Sequence, residues 1–181
     1  MNKGLIIVPL RSVYWPVQKV AHTSILQFMG RILNISYEGW IHHNHDIFKW
    51  TDDVIHGHFN FAYVRNPFDR IKSLYNDKIA VTLDTNVFLS PFYAGMPFLE
   101  FVNRIVEIPV KNEHYELQSK LIPEGVSVFK IEQPDVFLSM AGVHNKSFGP
   151  DPYCDESRKI IAQAYEEDFK KFNYENSTNN R

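Results

Sequence analysis

An arginine and a serine near the middle of the chain have the types and the spacing to bind a phosphate. Arg65 follows an apolar run that ends at Val64, and Ser73 lies two turns into the helical pattern that begins at Pro67. A guanidinium presents a planar fork of donors to phosphate oxygens, and a hydroxyl adds one more. Open α/β sheets bind ligands where their strands end. The pattern therefore predicts a phosphate site, with a surface ion pair between Arg65 and Asp69 as the alternative interpretation.

A lysine and two hydroxyls stand at a second strand-to-helix junction upstream. Residues 13–17 are predicted to form a strand and residues 18–24, which include Lys19, a loop. Helical spacing follows, so Thr23 or Ser24 is the expected N-cap. A helix N-terminus exposes N–H groups and the positive end of the helix dipole, which favours an anion. The G-x-x-x-x-G-K-[ST] pattern is absent, which disfavours an ordinary P-loop kinase or ATPase.

The elements that must position these residues follow the pattern of an α/β protein. Residues 13–17, 59–64 and 126–131 are predicted to be strands that each lead into one cleft. A helix with one apolar stripe is predicted over residues 155–172, and an irregular excursion over the cleft is predicted for residues 80–97. We expect a mainly parallel central sheet flanked by helices, similar to that of P-loop NTPases.

Length and composition limit the function classes. The chain has 181 residues, a net charge of -2 and 44% hydrophobic residues, which is typical of a globular protein. We expect a single domain over residues 1–181, with 175–181 as a frayed tail. The small net charge argues against nucleic acid or an anionic membrane as a partner. Cys154 is the only cysteine, so an internal disulfide and a paired-cysteine zinc site are excluded.

The sequence also carries an expectation about location. The apolar stretch at residues 5–10 is far too short for a transmembrane span, and no signal peptide is visible. We therefore expect a cytoplasmic protein without a membrane anchor. The oligomeric state does not follow from the sequence.

Histidines are concentrated in one region, with five of the eight between His42 and His58. Their spacing fits no recognised ligand pattern and no cysteine joins them, so a metal site is disfavoured. The unperturbed pKa of histidine suits the acceptance of a hydroxyl proton near neutral pH. A general base is therefore the preferred hypothesis for one of the histidines.

The two phosphate motifs together resemble a known family. Lys19-Val-Ala-His-Thr-Ser24 resembles the 5′-phosphosulfate loop of sulfotransferases that use 3′-phosphoadenosine 5′-phosphosulfate (PAPS), and residues 65–73 resemble their 3′-phosphate motif. The similarity is to sulfotransferase family 2, the carbohydrate or Golgi-type branch and its bacterial relatives. It continues through residues 97–102, 114–118, 128–132, 144–147 and 164–174. The sequence departs from the family pattern at Gln18, His22 and Leu117.

The resemblance implies that a sulfuryl group moves from PAPS to a hydroxyl of a saccharide or another small acceptor by in-line displacement, without a metal. Lys19 would stabilise charge on the leaving oxygen. Arg65 and Ser73 would hold the 3′-phosphate, which distinguishes PAPS from ATP. The full set implied for the donor is Lys19, His22, Thr23, Ser24, Arg65, Ser73 and Lys146.

The resemblance leaves the general base open. His56-Gly-His58 is similar to a catalytic motif of some uronyl 2-O-sulfotransferases, but it lies closer to Arg65 than in those relatives. His58, His45 and His114 are therefore all retained as catalytic candidates. Carboxylate alternatives are Asp46, Asp52 and Asp53.

Two other functions remain as alternatives to a sulfotransferase. A catalytically silent protein that binds PAPS or adenosine 3′,5′-bisphosphate (PAP) is suggested by the short chain and by Gln18. A small-molecule kinase on the related nucleotide-loop architecture would instead need ATP and magnesium. A preference for PAP over ATP would separate the sulfotransferase and the silent binding protein from the kinase.

Overall fold

A computed structural model describes residues 3–35, 48–85, 92–109, 112–133, 135–142 and 151–176 of the chain. The chain divides into two compact units. The first unit comprises Met1–Arg65 and Lys120–Asn145, and the second comprises Asn66–Ser119 and Lys146–Arg181. Among the described helices, none has both the length and the apolar character needed to cross a membrane.

The first unit contains a five-stranded sheet with the order β3-β1-β2-β4-β5. Its strands are β1 (Gly4–Ile7), β2 (Ser12–Tyr14), β3 (Phe48–Thr51), β4 (Phe59–Val64) and β5 (Ser127–Lys130). β2 pairs in parallel with β4, and β4 pairs in parallel with β5. β1 is antiparallel to both β2 and β3. The predicted α/β fold is confirmed, in a mixed sheet whose parallel part contains the predicted strands.

The helices within the described ranges are α1 (His22–Ile32), α2 (Pro67–Lys78), α3 (Phe98–Glu107), α4 (Gln118–Leu121), α5 (Val136–Met140), α6 (Asp155–Ala164) and α7 (Glu166–Lys171). A short 3-10 turn, Val8–Leu10, joins β1 to β2. In the first unit, the Phe28 ring of α1 meets the Phe137 ring of α5 edge-on at 4.9 Å. Phe137 also contacts Phe61 and Tyr63 of β4, so both helices cover one face of the sheet.

The strand predicted over residues 13–17 ends at Tyr14, three residues early. Trp15 still donates its N–H to the carbonyl of Phe61 at 2.8 Å. Pro16 then has no N–H to donate, so the ladder stops. The shorter strand leaves a longer connection before α1, and this connection contains Lys19.

The second unit has an apolar core drawn from several helices. Ile71 and Leu74 of α2, Phe101 of α3, and Ile161 of α6 are fully buried. The prediction of a single helix over residues 155–172 is wrong in one respect, because the helix is interrupted at Tyr165 and forms α6 and α7. The Tyr165 hydroxyl donates to the carbonyl of Tyr115. The apolar stripe predicted for this helix is nevertheless buried, at Ile161, Tyr165, Phe169 and Phe172.

A buried carboxylate organises the second unit's segment at residues 112–119. Asp168 is fully buried, and its two oxygens accept the backbone N–H groups of Gln118 and Ser119, each at 2.8 Å. Arg70 is also buried and donates to the carbonyls of Glu116 at 2.7 Å and Glu113 at 2.9 Å. These hydrogen bonds pair backbone N–H and C=O groups of residues 113–119 with buried side chains.

Replacing Asp168 by alanine is expected to lower the free energy of unfolding by about 2–4 kcal/mol. The change leaves two buried N–H groups unpaired and removes a negative charge close to Arg70. Asn at this position keeps one acceptor oxygen, so we expect it to cost less. Denaturant unfolding measures both variants. Glu166→Ala, which removes an exposed ion pair with Lys170, is the matched control and should stay within about 0.5 kcal/mol of the parent.

Candidate functional site

The loop between β2 and α1 is anchored by buried apolar side chains. Trp15, Val17 and Val20 are fully buried. A Cβ added at Gly4 would lie 2.8 Å from Val13 Cγ1 and 2.9 Å from Trp15 Cε2, so β1 needs glycine where the indole packs. These buried side chains anchor the loop to the first unit. Lys19, Ala21 and Thr23 keep some exposure to solvent.

Two residues of this loop have left-handed backbones although neither is glycine. Lys19 has φ 66° and Ala21 has φ 52°. Left-handed residues that alternate with ordinary ones turn successive N–H groups toward a common point, which forms an anion-binding concavity. The conformation is costly for residues with a Cβ, and such strain concentrates at functional sites. Glycine adopts such backbones without strain, so Lys19 and Ala21 hold conformations for which glycine is the usual residue.

Helix α1 begins at His22, earlier than the sequence pattern indicates. Its N-cap is Ala21, whose carbonyl accepts the N–H of Ile25 at 3.0 Å, and no described side chain caps the helix. The prediction of Thr23 or Ser24 as the N-cap is therefore wrong, because left-handed Ala21 turns the chain into the helix sooner. Both hydroxyls instead lie in the first turn, at the positive end of the helix dipole.

Arg65 stands at the end of β4 and is only 6% exposed. Its Nη1 donates to the carbonyl of Lys19 at 3.4 Å. Because β2 and β4 are parallel, with Tyr14 opposite Phe61, both strands end at the same edge of the sheet. The first unit therefore brings together Arg65 and the Lys19 loop, which are 46 positions apart in the sequence.

The continuation of the arginine motif belongs to the second unit. Pro67 is the first residue of α2, as predicted, and Asn66 caps the helix by accepting the N–H of Phe68 at 2.9 Å. Ser73 is half-buried on α2. Its pairing with Arg65 remains a prediction from the sequence.

His58 lies at the other end of the strand that leads to Arg65. It precedes Phe59, the first residue of β4, and its carbonyl accepts from the side-chain amide of Asn60 at 2.9 Å. Extended chain rises roughly 3.3 Å per residue, so the seven steps from His58 to Arg65 span about 23 Å. The structure does not bring this histidine to the edge where Lys19 and Arg65 meet. His45 and Lys146 lie outside the described residues.

His114, in the second unit, is held in one orientation by Asn112. The Asn112 Oδ1 accepts the backbone N–H of His114 at 3.0 Å and lies 2.7 Å from the His114 Nδ1. An amide oxygen only accepts, so Nδ1 must carry the proton in the neutral ring and Nε2 must be the basic nitrogen. That tautomer suits a general base. Among the described residues, no group of three or more side chains could hold a metal ion.

Polar groups on the aromatic face of the sheet carry no recognisable signal in the sequence. Tyr63 of β4 donates to the Asp135 Oδ2 at 2.8 Å, while the Asp135 Oδ1 accepts the N–H of Leu138 and caps α5. Burial raises the pKa of Tyr63, and the hydrogen bond to Asp135 adds to the rise. Tyr14, on the neighbouring strand, is fully buried. In a run of apolar strand residues, neither tyrosine stands out as a candidate.

The model of a family described as the sulfotransferase family matches residues 11–124, from the start of β2 to beyond α4. This span contains both the Lys19 loop and the Arg65 motif. Neither the search of curated proteins nor the search of solved structures gave a match.

Proposed function

Because this chain belongs to sulfotransferase family 2, we propose that it transfers a sulfuryl group from PAPS to a hydroxyl of a saccharide or another small acceptor. The observation that carries the proposal is the contact between Arg65 and the Lys19 carbonyl. It joins two separately predicted phosphate-binding segments at one edge of the sheet. If either motif matched only by chance, there would be no reason for Arg65 to contact the Lys19 loop.

The residues of the Lys19 loop fit the 5′ end of the donor. Left-handed Lys19 and Ala21 shape the backbone as an anion-binding concavity, and Thr23 and Ser24 add hydroxyls in the first turn of α1. His22 begins the same turn. Lys19 would neutralise charge on the oxygen that leaves with the nucleotide, an electrostatic contribution made only in the transition state.

Arg65 would select the donor by its 3′-phosphate. A buried guanidinium at the end of a strand is already desolvated and fixed, so its bonds to a phosphate lose little conformational entropy. ATP and AMP have no 3′-phosphate, so the discrimination depends on this group. Ser73 is the proposed second donor, and Lys146 is proposed to close over the nucleotide.

We propose His114 as the general base. As the acceptor oxygen bonds to sulfur and the bond from sulfur to the 5′-phosphate oxygen breaks, the hydroxyl proton must leave. A neutral imidazole with protonated Nδ1 can take that proton on Nε2. His58 is disfavoured by its place at the far end of β4.

A pair of histidine variants tests this choice. We expect His114→Ala to lower kcat by about a hundredfold while PAP affinity stays close to the parent value. The second variant, His58→Ala, should retain most of its activity. The opposite pattern would assign the base to His58.

The activity itself is tested with sulfur-labelled PAPS and a panel of hydroxyl acceptors that includes mono- and oligosaccharides. A labelled product that depends on the enzyme supports the transferase. Tight PAP binding with no product from any acceptor, and no slow loss of label to water, would favour the silent nucleotide-binding protein. Transfer of phosphate from ATP in the presence of magnesium would favour the kinase.

A further inference from the structure

Tyr14 carries a buried hydroxyl that has no hydrogen-bond partner among the described residues. It is the last residue of β2, directly before the loop that contains Lys19, and its exposed fraction is 0%. Among the residues that the structure describes, no group forms a hydrogen bond with the Tyr14 Oη. Buried tyrosine hydroxyls usually have a hydrogen-bond partner, so this exception requires an explanation.

The burial has a cost that a different side chain would avoid. Taking a hydroxyl out of water without a new hydrogen bond is unfavourable, whereas phenylalanine has the same ring and no such penalty. The neighbouring Tyr63 shows the contrast, because its hydroxyl is bonded to Asp135. Within the part of the chain that the structure describes, no hydrogen bond offsets the cost of burying the Tyr14 hydroxyl.

The neighbours of the Tyr14 ring include the residue at which the Lys19 loop meets α1. One neighbour is Phe61 of β4, at 5.4 Å between ring centroids. Another is His22, whose ring stacks on that of Tyr14 at 5.8 Å with an interplanar angle of 21°. His22 begins α1, and Thr23 and Ser24 share its helical turn. The buried hydroxyl therefore belongs to the side chain packed against the first turn of the proposed donor site.

We propose that the Tyr14 hydroxyl donates a hydrogen bond to a tetrahedral oxyanion at the 5′ end of the bound nucleotide, once the His22 ring moves aside. The oxyanion is the 5′-phosphate or the sulfuryl group attached to it. This proposal rests on the proposed function of the Lys19 loop. Burial raises the pKa of Tyr14, so the group stays protonated and acts as a neutral donor. Tyr14 is thus a further binding residue for the donor.

The test compares Tyr14→Phe with Tyr63→Phe, a matched change on the adjacent strand. Thermal unfolding without ligand should show Tyr14→Phe at least as stable as the parent, and Tyr63→Phe less stable because Asp135 loses its donor. Calorimetric titration should show that Tyr14→Phe binds the nucleotide about tenfold to a hundredfold more weakly. Tyr63→Phe should keep the parent affinity.

Titration with both PAP and PAPS identifies the oxyanion. A loss of affinity for both nucleotides assigns the hydroxyl to the 5′-phosphate, and a loss for PAPS alone assigns it to the sulfuryl group. Unchanged affinity for both, in a protein whose parent binds them, overturns this proposal and leaves the sulfotransferase function standing. A lower stability of ligand-free Tyr14→Phe also overturns it, since the hydroxyl would then have a structural partner such as a buried water. Failure of the parent to bind either nucleotide overturns both proposals.

Discussion

Replacing Lys19 by alanine is expected to lower kcat by about 10³-fold or more, with a smaller effect on the affinity for PAP. The ammonium group is proposed to stabilise charge that develops only as the nucleotide departs, and groups of this kind contribute several powers of ten to phosphoryl-type transfers. Single-turnover transfer of labelled sulfuryl from PAPS measures the chemical step. Comparable turnover in the alanine variant would remove Lys19 from the mechanism.

A second substitution at Lys19 separates lost charge from a distorted loop. Lys19 has φ 66°, a conformation that glycine adopts without strain. Lys19→Gly should therefore keep the loop shape and lose only the ammonium group, so we expect it to be as inactive as Lys19→Ala. The control is Lys49→Ala, which removes an exposed lysine from β3. That variant should turn over like the parent.

Replacing Arg65 by alanine is expected to weaken PAP binding by about 2–5 kcal/mol, because a buried guanidinium that meets a phosphate is a charge-assisted contact without solvent screening. AMP binding should change much less, since AMP has no 3′-phosphate. Calorimetric titration of both nucleotides measures the difference. An equal loss for PAP and AMP would mean that Arg65 supports the loop through the Lys19 carbonyl and does not read the 3′-phosphate.

Two further variants control the Arg65 result. Arg65→Lys keeps the charge and loses the planar fork, so we expect an affinity between those of the parent and the alanine variant. Arg104→Ala removes an arginine whose partner is Glu100 on the surface of α3. It should leave PAP affinity unchanged. Thermal unfolding of each variant shows whether the fold is retained.

The strand that leads to Arg65 and the helix that follows it could be predicted because their residues carry local signals. The run from Phe59 to Val64 is strongly apolar, and Pro67 marks the start of α2, so the strand-to-helix turn at Arg65 follows from the sequence. The start of α1 did not follow, because alanine carries no signal for the left-handed backbone that Ala21 adopts. The preceding residue, Val20, is fully buried, and such packing depends on the rest of the fold.

Other features depended on topology and on contacts distant in sequence. The sequence pattern makes His58 a candidate base, but the strand register places it at the end of β4 away from Arg65. Arg70 lies five residues after Arg65 and is also basic, yet it is buried and donates to backbone carbonyls of the second unit. No local pattern distinguishes a structural arginine from a ligand-binding one. The partners of such a residue are fixed only when distant segments pack.

The central claim, that this chain binds a nucleotide through its 3′-phosphate, is tested most directly by calorimetric titration of the parent protein with PAP and with AMP. The two ligands differ by that phosphate alone. We expect PAP to bind at least about thirtyfold more tightly than AMP, which corresponds to the lower limit of about 2 kcal/mol expected for the Arg65 contact. The preference should disappear in Arg65→Ala. Equal affinity for PAP and AMP, or no binding of either, would contradict the sulfotransferase proposal.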